Sequence, residues 1–268
     1  MRYLFTKSTF GLLFFALFFN YCKKPTEIVV HINKEEFTIE DQQLIGEHLS
    51  AIIESSTAYY EVLKTEESPE FYTYINRLLS TLVNTNQVDN RSIFDWEVII
   101  LKDDEMRSVF TIPGGKIYVY TGLLKMLAGE NELFSILAHE IYYSDKETVI
   151  DLMKEEYSTL IIGDLLLGTN SPGTIDIANT IQNMAYPSEA VAKADKFYLE
   201  VICPFQYEAR GLISFIEKAS SMTEEVKWLT IHPGASDRLS IIETLAQGCG
   251  EEELTFAERY EYNLSFLP

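Results

Sequence analysis

One apolar run in the middle of the chain, "NELFSILAHEIYY" at residues 131–143, constrains the fold more than any other stretch. It predicts a buried helix because its apolar residues recur at helical spacing: Leu133, Ile136, Leu137 and Ile141. The same helix carries His139 followed by Glu140, with Tyr143 one turn after the histidine. The fold must therefore place these three side chains beside a core.

The segments before this run predict a small β-sheet. Residues 94–101 ("FDWEVIIL") are β-branched and aromatic over a short stretch, which is typical of a strand. In "SVFTIPGGKIYVYTGLL" (108–124), a Pro-Gly-Gly turn signal separates two strand-like stretches. We expect a β-hairpin or a small meander ahead of the 131–143 helix.

Helical periodicity dominates the rest of the chain. Thr38 is a predicted N-cap, with Asp41 three residues later, close to a capping box. Further helices are predicted over residues 68–85, 146–168, 175–184, 188–202, 206–221 and 236–247. The predicted fold class is a mostly helical α+β domain over residues 38–268.

The first 22 residues differ from the rest. Arg2 and Lys7 precede an apolar run that stops at Cys22 and is too short for a membrane span, but suits a secretory signal. Cys22 resembles the lipidated cysteine of a bacterial lipoprotein, so residues 1–22 are predicted to be a signal peptide and 23–37 a tether. An uncleaved N-terminal anchor is the alternative, and in either case the remainder is exported.

The net charge limits the class of partner, and the cysteine content raises the question of a disulfide. The formal net charge of −20 argues against nucleic acid as a partner, since phosphate binding needs a basic face. Besides Cys22, the chain has only Cys203 and Cys249. In an oxidising compartment these two residues form either a disulfide or a pair of buried thiols.

Several fragments, taken in order, resemble one family: F-x-W-x-V-I-I, "FTIPGGKIYVYTGLL", "ILAHEI", A-x-A-D and H-P-x-x-S-D-R. They resemble the zinc metallopeptidases related to HtpX and the CAAX prenyl endopeptidase, in particular their periplasmic lipoprotein branch. The resemblance spans about residues 38–247 and implies a zincin-like metallopeptidase domain. It also implies that residues 110–124 form an edge strand and hairpin beside the cleft, with substrate-binding positions at Gly114, Gly115, Lys116 and Tyr118.

The same resemblance implies a zinc site with altered ligands. His139 and Glu140 match the first half of H-E-x-x-H, where the histidine binds the metal and the glutamate polarises its water. Tyr143 stands in place of the second histidine. The third ligand, a glutamate in the family, corresponds to Val191 in "YPSEAVAKAD" (186–195).

Two further residues complete the implied site. Asp195 matches an aspartate with a supporting role, and His232 matches a histidine that faces the zinc and steadies the reacting oxygen. Because zinc takes about four ligands including water, His139 and His232 alone are too few for tight binding. Zinc is therefore expected to be weak or absent, while an unconventional site using His139, Tyr143 and either Asp195 or Glu189 stays open.

Three functions follow as hypotheses. The first is a tethered pseudo-protease that binds extended or unfolded polypeptides by adding them to the strand at 116–121. The second is an active zinc-dependent endopeptidase in envelope protein quality control, and the third a lipoprotein recognised through its surface, with a vestigial cleft. All three place the chain at the bacterial cell envelope, attached to a membrane through its N-terminal anchor.

Overall fold

The computed structural model describes residues 37–205, 207–234, 237–249 and 254–268. The predicted signal peptide (1–22), its Cys22 and residues 23–36 of the predicted tether lie outside this description. Among the described residues, no helix has both the length and the apolar character needed to cross a bilayer.

The described residues form twelve α-helices, three strands and three short 3-10 helices. The helices are α1 (Ile39–Ser55), α2 (Pro69–Val83), α3 (Thr121–Met126), α4 (Glu130–Asp145), α5 (Thr148–Glu156), α6 (Thr159–Leu166), α7 (Pro172–Thr180), α8 (Ser188–Ile202), α9 (Gly211–Ser221), α10 (Lys227–Ile231), α11 (Arg238–Ala246) and α12 (Ala257–Leu264). The strands are β1 (Glu97–Leu101), β2 (Val109–Thr111) and β3 (Lys116–Tyr120), and the 3-10 helices are Thr65–Glu67, Pro113–Gly115 and Ile181–Asn183.

This architecture confirms the predicted mostly helical α+β class, with a small sheet before the His139 helix. The capping box is present, because Thr38 and Asp41 each bond the other's backbone N–H at the start of α1. The helix predicted over 146–168 is instead two helices, α5 and α6. The chain is extended at Tyr157, and the side chain of Ser158 then caps α6 by accepting from the N–H of Ile161.

The sheet order is β1-β3-β2, with β1 parallel to β3 and β2 antiparallel to it. The expected hairpin is therefore present as β2–β3. The edge strand of this hairpin is β2, so the choice of 116–121 as the peptide-binding strand is wrong, because β3 is central and pairs on both sides. The sequence pattern predicts a hairpin from its turn residues, but it does not show whether β1 pairs with β2 or with β3.

The glycines of the hairpin turn serve packing. Gly114 and Gly115 both have positive φ (82° and 91°), a conformation that side chains disfavour. A Cβ on Gly115 would lie 2.9 Å from the ring of Trp96. The backbone N–H of Gly115 donates to Ser144 Oγ at 2.9 Å. The turn is thus tied to α4 and buried.

Helix α4 is the centre of the molecule. All of its residues except Tyr142 are buried, and it packs against α2, α5, α8, α9 and β2. At its first turn, the carboxylate of Glu130 pairs with Arg259 of α12 and accepts from the hydroxyl of Tyr207. A disulfide between Cys203 and Cys249 joins the end of α8 to the turn after α11. The first turn of α4 is therefore fixed by polar contacts with α12 and with Tyr207.

Candidate functional site

The side chains singled out by sequence meet at one buried cluster. Helix α4 contributes His139, Glu140 and Tyr143, and α8 contributes Val191 and Asp195. His232 directly follows α10, and Arg238 is the first residue of α11. Each of these side chains is buried, so the cluster is closed to solvent.

Asp195 holds His139 and Arg238 together. Its Oδ1 lies 3.0 Å from His139 Nε2 and 2.8 Å from Arg238 Nη2, while its Oδ2 accepts from Arg238 Nε at 2.8 Å. Burial alone would raise the pKa of this carboxyl, but the bonds from His139 and Arg238 outweigh it and hold the pKa below its ordinary value. Asp195 is thus an anion with both oxygens engaged. Neither oxygen is free to bind a metal in this arrangement, and the possible rescue by Asp195 stays a prediction.

His139 is a neutral side chain here. Burial lowers its pKa, and the neighbouring Asp195 offsets only part of that effect. Because Asp195 can only accept, the proton of the neutral ring is assigned to Nε2, which leaves a lone pair on Nδ1. Arg238 Nη2 lies 3.4 Å from Nε2, so a fixed positive charge adjoins the histidine.

Glu140 and His232 form the second half of the cluster. Trp228 donates from Nε1 to Glu140 Oε1 at 3.2 Å, and His232 Nδ1 lies 2.9 Å from the carbonyl of Trp228. His232 Nε2 is 3.1 Å from Glu140 Oε1, although the angle between them is not that of a hydrogen bond. The rings of Trp228 and His232 also stack, with centroids 4.4 Å apart. Trp228 therefore positions both Glu140 and His232.

Aromatic and apolar packing occupies the implied second and third ligand positions. The ring of Tyr143 stacks on Tyr186 with centroids 3.6 Å apart, and Val191 joins the same buried cluster. The N–H of Tyr186 donates to the carbonyl of Ile231 at 2.8 Å, which fixes that ring beside His232. Burial, reinforced by the nearby charge of Glu140, raises the pKa of both tyrosines well above its ordinary value. Both are neutral phenols, which are poor metal ligands.

The other implied ligand alternative, Glu189, lies outside the cluster. Its carboxylate pairs with Lys193 at 2.9 Å, one turn along the exposed face of α8. Helical spacing explains this placement, because a residue two positions before Val191 faces away from it. The structure thus leaves neither Asp195 nor Glu189 free to replace the missing ligand.

Zinc can be tested against the donor atoms that remain. Four buried polar atoms of the cluster lack a hydrogen-bond partner among the described residues: His139 Nδ1, Glu140 Oε2, the Tyr143 hydroxyl and His232 Nε2. One donor atom from each of His139, Glu140 and His232 lies within 4.8 Å of the others, so the three could hold a metal ion.

A catalytic zinc ion takes three protein ligands, a number that His139, Glu140 and His232 could supply. It keeps an open position for water and substrate, and this cluster is closed. Using Glu140 as a ligand would also remove the base of the family pattern. These residues fit a metal ion in the number of donors, but they do not fit the family's catalytic zinc centre.

The residues expected to bind substrate lie elsewhere. Tyr118 is fully buried and donates its hydroxyl to Ser50 Oγ at 2.8 Å, away from the cluster. Lys116 pairs with Glu97 at 2.8 Å on the β1 side of the sheet. With Gly114 and Gly115 buried in the turn, these four positions stabilise the fold around β3 in this arrangement. A peptide cannot add to β3 as a strand, because both of its edges are paired, while a substrate-binding role of these four positions stays a prediction.

Strand β2 supplies the edge that β3 does not. Two hydrogen bonds set the register of the hairpin: the N–H of Ile112 donates to the carbonyl of Lys116, and the N–H of Tyr120 donates to the carbonyl of Ser108. In this register, the backbone groups of every second residue on the β2 side face β3. The backbone groups of Val109 and Thr111 therefore point outward, where no further strand of the described sheet pairs with them. The 3-10 helix Ile181–Asn183 lies against this edge, and Gln182 accepts from the Tyr120 hydroxyl at 2.5 Å.

Sequence reasoning missed the roles of Trp228 and Arg238. Trp228 precedes His232 by four residues, and this one-turn spacing on a short helix is the signal that could have paired them. Arg238 belongs to the quoted H-P-x-x-S-D-R fragment, but nothing in the spacing shows that it reaches Asp195 on another helix.

Comparison with known proteins finds peptidases similar to this chain. The profile of Peptidase family M48 matches residues 70–246, well over half of the chain. The Beta-barrel assembly-enhancing protease of Yersinia pestis is 23% identical over 222 residues, covering 76% of this chain and 43% of that protein. Metalloendopeptidase OMA1, mitochondrial, of Homo sapiens is 22% identical over 267 residues, covering 89% of this chain and 48% of that protein. The chain thus spans less than half the length of these curated relatives.

Proposed function

Because the chain belongs to Peptidase family M48, we propose that it uses the fold of that family as a polypeptide-binding module at the cell envelope, without peptide hydrolysis. The observation that carries this proposal is the closed cluster, in which Tyr143 and Val191 take the ligand positions. The contacts of Asp195 with Arg238 and His139 support it further, since they engage both carboxylate oxygens and leave neither free to replace the missing ligand.

The binding site in this proposal is the outer edge of β2. An extended polypeptide can pair with the outward backbone groups of Val109 and Thr111, as strand addition to a sheet edge requires. The 3-10 helix Ile181–Asn183 lies against this edge, so it must move before a peptide binds. The name of the bacterial relatives, beta-barrel assembly-enhancing protease, supports a polypeptide ligand and an envelope location.

A second candidate is a zinc endopeptidase with an unconventional ligand set. The grouping of His139, Glu140 and His232 favours it, because each residue retains an unpartnered donor atom. In that case Nδ1 of His139 and Nε2 of His232 would hold the ion, which would supply Lewis-acid polarisation of a peptide carbonyl.

One experiment separates the two candidates. The full-length protein, solubilised in detergent, is dialysed against trace zinc, its bound zinc is counted, and binding of a fluorescent unfolded polypeptide such as reduced casein is measured with and without chelator. The binding module predicts a zinc-to-protein ratio well below one, and the same affinity in both conditions. Val109→Pro removes one outward N–H, and is expected to weaken binding about tenfold because one edge hydrogen bond and the local strand pairing are lost.

The matched control is Thr65→Pro, at the exposed first position of the 3-10 helix Thr65–Glu67, where the preceding Lys64 is extended and proline is tolerated. Circular dichroism checks that both variants fold. A zinc ratio near one that falls in His139→Ala, together with casein cleavage abolished by Glu140→Gln, would instead establish the endopeptidase. Binding that disappears with chelator would contradict the binding module.

A further inference from the structure

Helix α6 carries leucines that face solvent. Leu160 is 78% exposed and Leu167, at the C-cap, is 55% exposed. Seven residues apart, they lie on the same side of the helix. An ordinary surface helix turns its polar side outward, and this one does not.

The surrounding sequence is depleted in charge. From Tyr157 to Ile175 the only charged residue is Asp164, in a chain of which 23% is charged. Depletion of charge around exposed aliphatic side chains marks a surface that contacts another apolar phase or partner. The preceding helix α5 differs, because it carries acidic and basic residues on its exposed face, such as the pair Asp151–Lys154.

The surface continues onto α1. His48 Nδ1 lies 2.7 Å from the carbonyl of Leu165, so this side of α1 faces α6. Leu44 stands one turn before His48 on the same side and is 42% exposed. Leu44, Leu160 and Leu167 are called the leucine face below.

The chain outside the described residues indicates what covers the leucine face. Thirty-six residues precede Phe37, and they include the apolar run Phe10–Phe19. They enter the domain at α1, the helix that carries Leu44. The fourteen residues from Lys23 to Glu36 span at most about 50 Å, comparable to the diameter of a domain of this size. If the apolar run is in a membrane, the leucine face is within reach of it.

We propose that the leucine face rests on the surface of a phospholipid bilayer with zwitterionic headgroups. Helix α6 has eight residues, about 12 Å, so it is too short to cross and can only lie on the surface. The net charge of −20 disfavours an anionic bilayer, which leaves apolar contact as the attraction. This contact is separate from the β2 edge and does not depend on the proposed polypeptide binding.

The test places an indole on the leucine face. Full-length Leu160→Trp and, as matched control, full-length Tyr262→Trp are reconstituted into phosphatidylcholine vesicles with and without brominated acyl chains. Tyr262 is 65% exposed on α12, which packs against α2 and α4. The signal of the two native tryptophans is subtracted using the wild-type protein. Both variants carry the same N-terminal segment, so anchoring affects them equally.

We expect brominated lipid to quench the Leu160→Trp indole at least about twofold more than the Tyr262→Trp indole, since an interfacial helix sinks about 5–10 Å into the headgroup boundary. Leu167→Trp should behave like Leu160→Trp, which guards against a defect specific to one variant. Equal quenching in variant and control overturns the proposal. So does a dimer that forms without vesicles and is lost in Leu160→Glu, because a second copy would then cover the leucine face.

Discussion

The guanidinium of Arg238 reaches three groups at once at the centre of the buried cluster. It makes a two-pronged pair with Asp195, donates to the carbonyl of His232 at 3.0 Å, and adjoins His139. These contacts connect α4, α8 and α11 through one side chain. At the residue scale, Arg238 thus supplies a fixed positive charge inside a site whose family pattern has a metal.

Arg238→Met should destabilise the protein by about 3–5 kcal/mol, because it leaves the buried carboxylate of Asp195 without its ionic partner. Urea unfolding followed by circular dichroism, with chelator present, measures this loss. Arg238→Lys keeps the charge but not the fork geometry, so its loss should be smaller.

Arg210→Met is the matched control for Arg238→Met. Arg210, at the N-cap of α9, pairs at 3.2 Å with Glu243, which lies on α11 as Arg238 does, but this pair is on the surface. Its loss should not exceed about 1 kcal/mol, as for other exposed pairs. Equal losses in the two variants would mean that the buried pair has no special role.

At the scale of elements, the cover over β2 decides whether the sheet edge is available. The segment from α7 to the start of α8 is attached by a small set of polar contacts: Tyr120 to Gln182, Tyr60 to the Ala178 carbonyl, Tyr157 to Thr180 and Tyr186 to the Ile231 carbonyl. Strand edges left open are prone to unwanted pairing. A cover with few attachments protects the edge while keeping it accessible to a ligand.

Gln182→Ala should strengthen polypeptide binding about fivefold, because it removes one hydrogen bond worth about 1 kcal/mol from the closed form. Fluorescence titration with unfolded casein measures the change. Tyr120→Phe removes the same bond from the other side and should have the same effect, whereas Gln247→Ala, at the exposed end of α11, should have none. Weaker binding in Gln182→Ala would show that the segment belongs to the binding surface and does not cover it.

The elements show what sequence could predict. Helical spacing located α1, α2, α4 and α8, since a one-sided apolar pattern is a local property. The pairing of β1 with β3 was missed, because strand order depends on contacts between distant residues. The break between α5 and α6 was missed because "YST" lacks a glycine or proline, the usual punctuation of helices.

For the whole molecule, the candidate site is distributed over helices that only the complete fold brings together. The sequence pattern predicted the helices that carry His139, Glu140, Tyr143 and Val191, since helical spacing is local, while the roles of these residues stay a prediction. The partners of Asp195 could not be foreseen, because Arg238 lies 43 residues further along the chain. The identity of residues was thus more predictable than their contacts.

The disulfide stabilises this assembly globally. Cys203 and Cys249 are 46 residues apart, and a loop of that length predicts about 4 kcal/mol of stabilisation from restriction of the unfolded chain. The double variant Cys203→Ser, Cys249→Ser should therefore lose about 2–4 kcal/mol in urea unfolding under oxidising conditions. Under strong reductant it should match the wild-type protein. A difference that persists in reductant would assign the loss to packing of the sulfur atoms.

The burial of Trp228 between Glu140, His232 and Arg238 has an optical consequence. An indole emits at shorter wavelength when it is shielded from water, and its intensity is sensitive to adjacent imidazole and carboxylate groups. The only other tryptophan, Trp96, is partly exposed beside the hairpin turn, so the two emissions differ in environment. With Trp96→Phe, the remaining emission would report on the cluster alone, giving a label-free signal for any ion or polypeptide that opens it.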